Sequence, residues 1–114
     1  MTPAEFKARR ERMGLSAQWL AARWGVSLLS VQRWERNRAI PDALAADFES
    51  IEDAFRDAVD TGAWVERGVL AVPRVDAESL DGYPSAYHRA VALAIAERTG
   101  ARIEFGDELV VHEG

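Results

Sequence analysis

Two glycines, each followed two residues later by a serine, cut the first forty residues into pieces: Gly14-Leu15-Ser16 and Gly25-Val26-Ser27. Glycine stops helices because it adopts the left-handed conformation without steric cost. Serine starts them by offering its hydroxyl to an orphan N–H. The punctuation predicts three short helices. Thr2-Pro3-Ala4-Glu5 is a capping box with proline at the first helical position, so the first helix starts there and carries Phe6, Arg10 and Met13 at helical spacing. Ser16 caps a second helix holding Trp19, Leu20, Arg23 and Trp24. Ser27 caps a third, from about Leu28 to Arg36. Only Gly25-Val26-Ser27 separates the second from the third, which is a helix-turn-helix arrangement.

The third helix can be read by face. At ~100° per residue, Ser30, Val31 and Trp34 share the side that should enter the core. Leu28, Leu29, Gln32 and Arg36 share the other, with Arg33 at its flank. Two outward leucines are unusual for a purely solvated helix.

After the polar loop Asn37 to Pro41, Pro41-Asp42 opens a long helix reaching about Asp60 and ended by Gly62. Leu44, Phe48, Ile51, Phe55 and Val59 form its apolar stripe. Asp47, Glu49, Glu52, Asp53, Asp57 and Asp60 are expected on a solvated face opposite. Such a stripe must pack on the head, the tail or a second copy. Val69 to Val72 reads as a strand that Pro73 ends or holds at an edge. Asp81-Gly82-Tyr83-Pro84 reads as a turn. Tyr87, Val91, Ala94 and Ile95 mark a helix from Ser85 to Thr99, stopped by Gly100. Ala101 to Phe105 and Glu108 to His112 are strand candidates joined through Gly106-Asp107 as a hairpin. The expected class is α+β, mainly α.

Charge divides the chain more sharply than its total implies. Residues 1–40 carry Lys7, Arg9, Arg10, Arg12, Arg23, Arg33, Arg36 and Arg38 against Glu5, Glu11 and Glu35, although the 114 residues together carry −5. A basic head suits a polyanion such as nucleic acid. The acidic remainder repels one and confines contact to the head. Arginine, which supplies all but one of the basic residues, favours planar recognition of phosphate and guanine.

Other function classes find little support. The chain has no cysteine, which excludes thiol catalysis, disulfides and thiolate zinc. No phosphate loop, dinucleotide fingerprint or metal-spaced cluster occurs, so no cofactor is expected and the chain reads as a non-enzyme. His88 and His112 lack ligand neighbours and read as surface or helix-face residues. No apolar run suits a membrane span and the N-terminus lacks a signal-peptide layout, so a cytoplasmic location without membrane contact is expected.

Arg10, Gly14, Leu15, Leu20-Ala21, Gly25-Val26-Ser27, Val31, Trp34-Glu35 and Pro41 stand in an order, without insertion or deletion, that resembles the Xre/Cro-type helix-turn-helix repressors. The resemblance covers roughly residues 4–41 and implies a lambda-repressor-like bundle. It places Ser27, Leu28, Leu29, Gln32 and Arg33 at base-reading positions. Arg33 would donate twice to guanine and Gln32 would pair with adenine. Leu28 and Leu29 depart from the polar residues common there: they meet thymine methyls, or form a patch covered by another protein surface. Arg36 and Arg38 are either phosphate clamps or solvated loop charges. The resemblance further implies an ion pair between Arg10 and Glu35 that orients the reading helix without touching DNA. Trp19 stands where the family usually has a polar residue, and either packs on the tail or a partner or leaves its ring exposed. Trp24 and Trp34 read as core. More loosely, through element order and Tyr87-His88-Arg89-Ala90-Val91-Ala92, the whole chain resembles the anti-CRISPR-associated repressors, two-domain homodimers whose tails dimerise.

These readings combine into one expectation. Residues 1–40 form a DNA-binding domain, its bundle completed by the start of the next helix. Residues 41–114 form a long helix plus a small α/β dimerisation domain. The partners are a double-stranded DNA operator and a second copy. One alternative is an antitoxin that represses with its head and neutralises a toxin with its tail. Another is an adaptor that keeps the head for protein contacts.

Overall fold

A computed structural model describes residues 1–62 and 64–107. The element order is α1 (Pro3–Arg12), α2 (Ala17–Trp24), α3 (Leu28–Arg36), α4 (Asp42–Thr61), β1 (Val69–Val72), α5 (Ser85–Thr99) and β2 (Arg102–Phe105), with a 3-10 turn at Asp76–Glu78. The class is α+β and mainly helical.

Local chemistry sets most of these boundaries. The Glu5 N–H donates to Thr2 Oγ1 at 3.1 Å and the Thr2 N–H donates to Glu5 Oε1 at 2.7 Å, closing the capping box. The Thr2 N–H also holds the Glu5 carboxyl below its ordinary pKa. Ser16 Oγ accepts from the Trp19 N–H at 3.0 Å to begin α2, and Gly25, at φ 64°, ends it. Ser27 Oγ accepts from the Ser30 N–H at 3.1 Å to begin α3.

The small sheet is parallel. β1 and β2 pair from Val69 opposite Arg102 to Val72 opposite Phe105, and α5 makes the crossover between them. This corrects the hairpin expectation. The two residues expected to form its turn, Gly106-Asp107, are helical, and β2 pairs along one edge with β1. The strand expected at Glu108 to His112, and with it His112, lies outside the described residues.

α4 runs through one continuous core and meets both head and tail. Phe48 meets Phe6 of α1 edge-on at 5.0 Å between ring centroids, and Phe55 meets Tyr87 of α5 edge-on at 5.8 Å. Phe48, Ile51, Phe55 and Val59 are buried as the stripe predicts. Two acids assigned to the solvated face are not there. Glu52 is 2% exposed and Asp47 is half-buried. Glu52 stands four residues after Phe48 and three before Phe55, and Asp47 four before Ile51, so helical spacing places both beside the stripe.

The head docks directly on the tail. Gly14, at φ 69°, turns the chain against the start of α5, where a Cβ would lie 2.3 Å from the Ala86 carbonyl oxygen. Trp19 stacks on Tyr83 at 5.2 Å and donates its Nε1–H to the Gly82 carbonyl at 3.1 Å. Trp19 thus packs on the tail of its own chain. Among the described residues no helix is long and apolar enough to cross a membrane.

Candidate functional site

α3 presents two unlike faces. Val31 is fully buried, and Trp34 packs half-buried against Trp24, whose ring lies 6.3 Å from Phe6. Outward stand Leu29, which is 49% exposed, and Gln32, Arg33 and Arg36, all exposed, followed by Arg38 in the loop. Leu28 is half-buried, so the outward apolar surface belongs mainly to Leu29. Ser27 is exposed, but its hydroxyl is engaged in capping α3 and lies 3.0 Å from Ser30 Oγ. The structure therefore brings Leu29, Gln32, Arg33 and Arg36 onto one surface and gives Ser27 a helix-starting task.

That surface is tied directly to α1, and α1 and α2 are tied in turn to α4. Arg10 Nε donates to Glu35 Oε1, and Arg10 Nη1 donates to the Leu15 carbonyl at 2.9 Å. Both side chains of the pair are nearly buried, so α1 is fixed to α3 by the ion pair that the resemblance implies. Arg9 Nε donates to Glu52 Oε2 at 2.7 Å, and Arg12 lies 3.7 Å from the same carboxylate. Arg23 donates twice to Asp47, and Trp24 Nε1–H reaches Asp47 Oδ2 at 2.7 Å. The Arg23 hydrogen bond, aided by Trp24, holds the Asp47 carboxyl below its ordinary pKa.

The eight cations of the head thus divide into two sets. Arg9, Arg10, Arg12 and Arg23 face internal carboxylates. Lys7, Arg33, Arg36 and Arg38 have no ion-pair partner among the described residues. Sequence reasoning assigned Arg10 to the first set and Arg33, Arg36 and Arg38 to the second, but it left Arg9, Arg12, Arg23 and Lys7 without a role. The signal for Lys7 was available: it lies one turn before Arg10 on α1, and Arg10 faces α3.

His88 is a tail residue apart from this surface. Its Nε2 lies 3.0 Å from Asp81 Oδ1 and 3.1 Å from Ser79 Oγ, and its ring lies between Trp64 and Tyr87. Among the described residues no group of three or more His, Asp or Glu side chains could hold a metal ion. No family model, curated protein or solved structure matches the chain.

Proposed function

We propose that the chain is a sequence-specific DNA-binding regulator of the Xre/Cro type, acting as a homodimeric repressor on a near-palindromic operator. The observation that carries this reading is the outward row Leu29, Gln32, Arg33 and Arg36 on a short helix whose opposite side is buried and whose first turn is capped. An α-helix fits the major groove of B-DNA, and these side chains have the chemistry of base edges and phosphates. Arg33 suits the two acceptors of guanine and Gln32 suits adenine, while Leu29 suits a thymine methyl. Arg36 and Arg38 suit phosphates.

In this reading residues 1–40 read the operator and the remainder joins two copies. Leu93 of α5, 54% exposed, and Ile103 of β2 supply uncovered apolar surface for that contact. Two reading helices would enter successive major grooves about 34 Å apart and occlude a promoter.

Selection of bound sequences from random duplexes tests the proposal. The expected result is a two-fold symmetric motif whose binding weakens steeply as salt rises, because phosphate contacts release counterions. Failure to enrich any motif, or binding indifferent to salt, would overturn it.

A further inference from the structure

We infer that Lys7 of α1 is a further DNA-binding residue, which together with Arg36 of α3 grips a backbone phosphate beside the row that reads bases. The inference rests on the proposed function and deepens it, because it adds a second helix to the contact surface.

The geometry is a groove between α1 and α3 of about 630 Å³, lined by Lys7, Leu29, Gln32, Glu35 and Arg36. Leu29, Gln32 and Arg36 recur at helical spacing and form one wall. Lys7 stands on the other. Glu35 is the only acid among the lining residues, and Arg10 already engages its carboxylate. Its side chain is 11% exposed, so it offers Lys7 little competition for an incoming anion. Lys7 is itself exposed and makes no hydrogen bond or ion pair among the described residues.

The other cations of α1 do not line this groove. Arg9 and Arg12 are drawn to Glu52, and Arg10 is drawn to Glu35. Lys7 is therefore the cation of α1 left for an outside anion. An ammonium on a flexible stem binds phosphate as a point charge and needs no fixed angle. Such a contact carries no base preference, so Lys7 should add affinity and register but not sequence selectivity.

Two measurements test this on the full-length protein. In the first, Lys7→Ala and Lys7→Arg are titrated against the selected operator and a scrambled duplex over a salt series. Lys7→Ala should weaken both duplexes by the same factor. It should flatten the slope of log affinity against log salt by about 0.9 per protomer, so for the homodimer the deficit at about 50 mM salt is roughly 12 times that at about 200 mM. Lys7→Arg should keep the wild-type slope. Arg98→Ala, which breaks an exposed tail pair with Asp60, should change neither duplex.

In the second, Lys7, the only lysine in the chain, is acetylated by an amine-reactive reagent and read by mass spectrometry. The operator duplex should protect it, with the N-terminal amine as internal reference. An unchanged salt slope in Lys7→Ala, loss confined to the operator, or equal acetylation with and without duplex would each overturn the inference while leaving operator binding intact. A wild-type protein that binds no duplex would instead overturn the proposed function, and this inference with it.

Discussion

Glu52, near the middle of α4, accepts from both Nε and Nη2 of Arg9 across forty-three residues of chain. Its carboxylate is 2% exposed, whereas the Arg9 side chain is 32% exposed. The two partners are therefore not equivalent. Removing Arg9 leaves a buried anion with only Arg12 at 3.7 Å, but removing the anion leaves a cation that can turn to water. Arg9→Ala should cost about 2–4 kcal/mol in urea unfolding, and Glu52→Gln clearly less. Equal losses would mean that the burial of Glu52 does not set the cost.

Arg33→Ala should relax preference at one base position, worth about 1–3 kcal/mol against the competing bases. Repeating the selection with the variant reads this directly. An unchanged motif would remove Arg33 from the set of reading residues.

Arg38→Ala should behave differently, weakening operator and scrambled duplexes alike and flattening the salt slope by about 0.9 per protomer. A loss restricted to the operator would mean that Arg38 touches a base.

Gly14→Ala should loosen the head from the tail. The added methyl meets the Ala86 carbonyl at 2.3 Å, and the backbone must hold φ 69°. A loss of more than about 2 kcal/mol is expected. Trp19 fluorescence should change with it, since that ring stacks on Tyr83. Gly25→Ala is the control: its φ is similarly positive at 64°, but nothing lies within 4 Å of the added atom, so its cost should be smaller.

Burial raises the Tyr87 phenol from 10.0 to about 12. The folded state therefore keeps the Tyr87 proton where the unfolded state releases it. Stability from this group is complete below about pH 10 and drains away as pH rises through about 12. Urea midpoints measured across that range should fall in the wild type, and Tyr87→Phe should fall less steeply. Identical slopes would sink the assignment.

Much of the helical scaffold was legible because capping is local chemistry. Thr2, Ser16, Gly25, Ser27, Gly62 and Gly100 each mark an end within a few residues of their own position. The outward face of α3 followed from spacing alone, with Leu28 half-turned inward. The pairing of β2 was not legible, because Arg102 to Phe105 meet Val69 to Val72 only after α5 has carried the chain back. Nor does a carboxylate announce its partner: Glu52 and Asp47 look like solvated acids until Arg9 and Arg23 arrive from other helices. Their places beside Phe48 and Ile51 were nevertheless readable from the period of α4.

Because Phe48 leans on Phe6 while Phe55, two turns on, leans on Tyr87, one unbroken rod serves both ends of the molecule. Severing the chain before that rod would strip α1 and Trp24 of the wall they rest against. The amino-terminal third is thus no transplantable cassette. A chimera built to test the proposed DNA-reading head elsewhere must bring α4 along at least as far as Glu52.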